Sequence, residues 1–361
     1  MTGSMTRRRL LGLAATAAAA AASRAWAQDA AGTETDGNAP LVPDVPDPLI
    51  IRPEIQGVDP RYAAYATSGD VLFPSTPQTV SIRTGNVVVF APLRPLPGAR
   101  LVVFSHGALA DPLTYRDLLW HWTSHGYVVA APLHSDAVIE NGPTLRKTRP
   151  GSFSEWPVAT LLEDPVAWRS RVAACVSCLD DIVFIEAAAG MEIDTSRAII
   201  AGHGYGAYVA QLLTGATVTS GDGQRLDFSD PRFFAGIAMS PQGPGVMGLD
   251  EASWQAVASP MLYLVAENDL DFTGQPAMEK AKAYQLAKPG YKHIGFLRNA
   301  SSNAFTGTRT NENERRIFEA VKAMSTGFLK SYSAYDGEAF HDMTSDFFER
   351  MTLGLVDEGR R

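Results

Sequence analysis

From about Ala66 onward, short runs of β-branched and aliphatic residues alternate with stretches of helical character. Residues 79–82 and 86–90 predict an opening hairpin. Residues 101–104 form a short apolar run that ends in Ser105-His106-Gly107. A helix follows, opened by Asp111-Pro112 and closed by Gly126. Residues 127–131 predict a buried strand. A long helix is expected from Asp164, with Pro165 in its first turn, to near Gly190. Residues 198–201 form another strand that meets a helix over 207–213. Residues 234–239, 261–265 and 293–297 supply three more strands. A last amphipathic helix carries Ile317, Phe318, Val321, Met324 and Phe328. Apolar strands in regular alternation with helices imply an α/β fold, a mostly parallel sheet covered by helices on both faces. Ligands of such sheets bind beyond the carboxyl ends of the strands.

The first 65 residues break this rhythm. Arg7-Arg8-Arg9 precedes an alanine-dominated apolar run over residues 10–22, and Ala25-Trp26-Ala27 has the small-x-small form of a signal-peptidase site. The run is too short for a membrane span, which needs about 20 apolar residues. Paired arginines before such a core resemble a twin-arginine export signal, so a periplasmic or secreted protein starting near Gln28 is expected. Pro40, Pro43, Pro46, Pro48, Pro53 and Pro60 then exclude helix or central strand and predict an extended tether. The expected division is a signal segment over 1–27, a proline-rich tether over 28–65, one α/β domain over 66–335 and a C-terminal extension over 336–361.

Charge sharpens the picture. The formal net charge is −8, but the first 27 residues hold four arginines and no acid. Their removal leaves 27 basic against 39 acidic residues, a net charge of −12. Such a chain lacks the clustered Lys and Arg that nucleic acids require. Cys175 and Cys178 form Cys-x-x-Cys inside the long helix, where small buried residues are the expected reading over a disulfide or a metal pair.

The candidate chemistry gathers after the strand over 198–201. Gly202-His203-Gly204-Tyr205-Gly206 stands between a strand and a helix, where a nucleophile elbow Gly-x-Ser-x-Gly would stand. The nucleophile position is Gly204, which has no side chain. Neither dinucleotide spacing nor a P-loop lysine is present. Around this motif, Ser105-His106-Gly107-Ala108, residues 126–132, Met239-Ser240-Pro241-Gln242-Gly243 and residues 264–269 complete a pattern. From about Ala66 to Leu329 the chain resembles the dienelactone hydrolase and platelet-activating-factor acetylhydrolase branch of the α/β-hydrolases.

That resemblance implies an α/β-hydrolase fold and backbone oxyanion donors at Ala108 and Tyr205. It makes Asp269 the acid, with Asp271 as second choice, and aligns the histidine station with Ser302, in the stretch that ends Asn303-Ala304-Phe305. His293 lies at the wrong end of its strand and His341 beyond the family's core. Two of the three triad stations are thus empty of the groups that a serine hydrolase needs. His106, His134 and His203 remain as candidates to line the cleft, and His134 with Asp136 makes no metal site without a third ligand. No cofactor is expected. Three functions stay open: a catalytically dead hydrolase scaffold holding a small ester, lactone or lipid, a weakly active or reconfigured esterase, and a protein-interaction module with a vestigial cleft. The sequence names no protein partner.

Overall fold

A computed structural model describes residues 59–137, 162–269, 271, 273–306 and 309–361. The expected signal segment and the tether as far as residue 58 lie outside these, and all the described residues belong to one unit.

The first element is helix α1 (Pro60–Ala66), opened by the Asp59 side chain, which accepts from the Arg61 amide at 2.8 Å. Pro60 does not break structure here. It occupies the first helical turn, where its missing N–H has no partner to lose. Strands β1 (Gln78–Ile82) and β2 (Gly85–Phe90) form the expected hairpin. Then come β3 (Arg100–Ser105), a 3₁₀ turn over Pro112–Tyr115, α2 (Arg116–Ser124) and β4 (Tyr127–Pro132). Beyond residue 161 lie α3 (Pro165–Asp180), α4 (Ile182–Ala189), β5 (Asp194–His203) and α5 (Tyr205–Leu213). A small separate hairpin, β6 (Thr217–Thr219) and β7 (Arg225–Asp227), precedes β8 (Phe233–Met239) and β9 (Met261–Ala266). The chain ends with α6 (Ala277–Leu286), β10 (Lys292–Leu297), α7 (Glu312–Tyr332), α8 (Gly337–Met343), α9 (Phe347–Met351) and β11 (Val356–Arg360).

The central sheet has nine strands in the order β1-β2-β4-β3-β5-β8-β9-β10-β11. The six from β4 to β10 run parallel to one another. The hairpin at one edge and β11 at the other are antiparallel to their neighbours. Alternate side chains feed two cores. Leu101, Val103, Val128 and Ile200 share a core with α3, α4 and α5; Val102, Phe104, Val129 and Ile199 share one with α2 and α7. A parallel sheet buried on both faces follows directly from such continuous apolar runs.

Helix α1 takes in residues 60–65, expected as the end of the extended tether, and two further features depart from the expected boundaries. The long helix is broken at Asp181, whose carboxylate accepts from the backbone and guanidinium of Arg83 in the β1–β2 turn. An aspartate held this way favours a helix end over a helix interior. Residues 336–361, expected as an extension, belong to the body: β11 adds the ninth strand, and α8 packs on α7.

The order of strands also locates a site. From β3 the chain moves to β4 on one side, and from β5 it moves to β8 on the other. Their neighbouring carboxyl ends, Ser105 and His203, therefore flank a topological switch point, where open α/β sheets leave a crevice.

Candidate functional site

At that switch point the backbone turns sharply between β5 and α5. Gly204 has φ 54° and ψ −115°, a conformation that costs residues with a side chain. A Cβ built on Gly204 would meet nothing within 4 Å, so the position opens onto free space. Its neighbours have no such room. A Cβ on Gly202 would stand 2.2 Å from the Gly206 carbonyl oxygen, and one on Gly206 would stand 1.8 Å from that of Ser105. Glycine at 202 and 206 lets β5, α5 and the end of β3 close up, while glycine at 204 leaves a vacancy.

The vacancy belongs to a cavity of about 280 Å³. Its wall includes Gly107, Ala108, Tyr115, Leu162, His203, Gly204, Tyr205, Gln242, Asp271 and Ser302. Most of this wall is carbon, which suits a ligand with an apolar body. Among the described residues, the backbone amides of Ala108 and Tyr205 donate to no protein acceptor. Tyr205 opens α5, so its amide also carries the positive end of the helix dipole.

His203 sits beside Gly204 with its ring against Phe305, centroids 5.1 Å apart. Burial pushes its pKa down to about 4, with Asp269 opposing the shift, so the ring is neutral near pH 7. The Gly107 amide donates to the Tyr115 hydroxyl at 3.2 Å, and that hydroxyl lies 2.8 Å from His203 Nδ1. Full satisfaction of this chain has Tyr115 donating to Nδ1, which leaves the proton on Nε2. His203 Nε2 is occluded and has no partner among the described residues. With Nδ1 engaged by Tyr115 and Nε2 protonated, His203 offers no free lone pair to a reacting proton.

Asp269 is buried, and the side chain that meets it is Lys280. The Lys280 ammonium lies 3.1 Å from Asp269 Oδ2 and 3.1 Å from Asp271 Oδ2, with no exposure to solvent. The approach to Asp269 is an ion pair off hydrogen-bond geometry, because among the described residues neither oxygen of that carboxylate accepts a hydrogen bond. Asp271, the second choice, reaches the cavity wall and also accepts from Gln242 at 3.2 Å. Lys280 further donates to Ser240 Oγ at 3.1 Å. This contact has the composition of a serine–lysine pair. However, Ser240 is fully buried, and Lys280 is the counter-ion of two carboxylates, so the pair reaches no substrate.

Ser302 begins a 3₁₀ turn over Ser302–Phe305 and lines the same cavity as Gly204. His106 and His134 do not line that cavity. His106 opens the loop after β3 and His134 follows β4; the His134 amide donates to His106 Nε2 at 3.2 Å, and His134 Nε2 lies 2.9 Å from Ser105 Oγ. Burial pushes His106 down to about 3 and His134 well below its ordinary value. Arg171 and Asp136, a buried ion pair at 2.7 Å, lie against the same loop, Arg171 donating to the His106 carbonyl and Asp136 accepting from the Leu109 amide.

Cys175 and Cys178 are free and buried, and burial pushes the Cys175 thiol up to about 12, so neither is a thiolate nucleophile. Among the described residues no three His, Cys, Asp or Glu side chains converge as metal ligands, and no helix is long and apolar enough to cross a membrane.

Of the residues singled out in the sequence, Gly204, Ala108, Tyr205, His203 and Ser302 line one cavity, whereas Asp269, His106 and His134 do not. Sequence reasoning missed Lys280, which the weakly patterned helix α6 does not single out. It also missed Arg171, although Arg171 falls in one buried stripe with Ala174, Cys175 and Cys178, and a charged residue in such a stripe is a signal. The chain matches no protein-family model and no curated protein.

Proposed function

We propose that this chain is an α/β-hydrolase-type protein that binds a small neutral ester, lactone or lipid-like carbonyl compound and does not hydrolyse it. The observation that carries this is the empty elbow. Gly204 holds the backbone of a nucleophile turn with open space where a nucleophilic side chain would stand, beside two unengaged amides. The turn lies between a strand and a helix, the context in which a Gly-x-Ser-x-Gly motif works. The remaining requirements for acyl transfer are unmet: Ser302 stands at the base station, and the acid is paired to Lys280. In a comparable triad, loss of the serine alone removes about 10⁶-fold in rate. The arginine pair and the apolar run ahead of Ala27 support an exported protein.

A neutral carbonyl oxygen can accept from Ala108 and Tyr205 while its apolar body fills the cavity. The test is thermal melting of the full chain with γ-butyrolactone and p-nitrophenyl acetate, followed by product analysis. Melting temperature is expected to rise with ligand, by about 2.7 kcal/mol of stabilisation at a hundredfold excess over Kd. Nitrophenol release should stay at the buffer rate. Release well above that rate would establish a reconfigured esterase. Absence of any shift, with a partner protein bound specifically, would favour an interaction module.

A further inference from the structure

Resting on the ligand-binding reading above, we infer that Arg171 is a positioning residue that holds the two cleft amides, those of Ala108 and Tyr205, in register with each other. The two amides come from segments about a hundred residues apart, and one buried side chain touches both segments. On one side, Arg171 Nη1 donates to the His106 carbonyl at 2.6 Å, and Nη2 reaches the Gly107 carbonyl at 3.4 Å. These carbonyls immediately precede the Ala108 amide, so their directions set the planes of the loop. On the other side, the guanidinium lies 4.2 Å from the centre of the Tyr205 ring, in cation–π contact with the residue that supplies the second amide.

Asp136 fixes the fork. It accepts from Arg171 Nε at 3.2 Å and from Nη2 at 2.8 and 2.7 Å, and its Oδ2 also accepts from the Leu109 amide at 3.1 Å. Leu109 has φ 55°, an uncommon conformation for a residue with a side chain. The loop is therefore gripped at His106, Gly107 and Leu109, on both sides of Ala108, whose own amide is left free. A flexible point charge could neutralise Asp136. Only a planar, multi-donor group can also direct two carbonyls and lie flat on a ring. Arg171 and Asp136 are buried, so the pair is preorganised rather than assembled by ligand.

The test uses the full chain with γ-butyrolactone labelled with ¹³C at its carbonyl. Bound to the unaltered protein, the carbonyl infrared band is expected below its free position, as two amide donors polarise the bond. Arg171→Met alone strands a buried carboxylate, so the informative variant is the charge-neutral Arg171→Met, Asp136→Leu pair. In that protein Kd should rise about tenfold or more, with the band returned to the free position. A folded double variant with unaltered Kd and band would overturn the inference.

Hydrogen exchange without ligand supplies a second readout. Amides of residues 106–109 and Tyr205 should exchange faster in the double variant, while those of β3 and β5 keep their rates. Unchanged exchange at Ala108 and Tyr205 would also overturn it. Arg171→Lys, which keeps the charge but loses the fork, is expected to exchange like the double variant and serves if that one does not fold. If the unaltered protein binds no lactone, the proposed function fails, and the exchange data still decide the role of Arg171.

Discussion

Each of the three glycines around His203 and Tyr205 answers a different demand, and substitution separates them. At Gly204 the demand is conformational: φ is positive, but the space beyond is open. Gly204→Ser and Gly204→Ala should each lower stability by about 1–3 kcal/mol, the usual cost of such a backbone conformation, and still fold. At Gly206 the demand is steric, since a Cβ would press on the Ser105 carbonyl at 1.8 Å. Gly206→Ala should therefore destabilise far more or abolish folding. Urea unfolding of the three variants checks this, and equal losses at 204 and 206 would refute it. Gly204→Ser should also produce no ester turnover, since a hydroxyl alone has no base. Adding Ser302→His supplies an imidazole, yet Lys280 still occupies Asp269, so an acid free to orient it is lacking. At this scale the motif residues were legible in the sequence because glycine spacing reports backbone demands. Lys280 was not legible, since its meaning depends on carboxylates from a different loop.

Elements were legible where burial is continuous. The strands β3, β4, β8 and β9 are apolar runs with no second interpretation, and their helices carry caps such as Asp111 and Asp164. Elements defined by distant partners were hidden. The break at Asp181 depends on Arg83, ninety-eight positions earlier. Strand β11 reads Val-Asp-Glu-Gly-Arg, polar as an edge strand is expected to be. That strand carries a testable charge. Glu358 and Glu349 each accept from the other's backbone amide, at 3.0 and 3.2 Å. Burial pushes the Glu358 pKa up to about 7, opposed by the Glu349 amide and by Arg360 and reinforced by the Glu349 and Asp346 carboxylates. The folded state thus holds a proton that the unfolded chain has released, so stability falls as pH rises from about 4.5 to 7 and is level above that. Glu358→Gln removes this loss. The variant's stability relative to the parent should grow across that window and then stay constant. A pH-independent difference would contradict the assignment.

For the molecule as a whole, the larger pH term runs the opposite way. Burial pushes His106 down to about 3 and His125, His203 and His293 down to about 4, and it holds His121 and His134 well below their ordinary value. His106 follows β3, His121 lies in α2 with His125 just after it, His134 follows β4, His203 ends β5 and His293 lies in β10, so the six are spread along the fold. Each is engaged while neutral: His121 Nε2 lies 2.9 Å from the Tyr65 carbonyl oxygen, and His293 Nε2 lies 2.6 Å from the Tyr332 hydroxyl. Unfolding releases them to titrate near 6.5. Between about pH 4 and 6.5 the unfolded chain therefore binds more protons, and stability must rise with pH. Each such proton contributes about 1.4 kcal/mol per pH unit, so two or more give a slope of about 2.7 or steeper. Melts of the full chain between pH 4.5 and 7.5 should show melting temperature climbing steeply to about pH 6.5, with Glu358 taking back only one proton's worth. A flat profile over that range would mean that the histidines are not held neutral. The same measurement bears on the cleft, because His203 is one of the six. If the parent loses lactone binding only where it unfolds, His203 acts through the fold. If binding fades at a higher pH than unfolding, the neutral imidazole beside Gly204 is itself part of the ligand's wall.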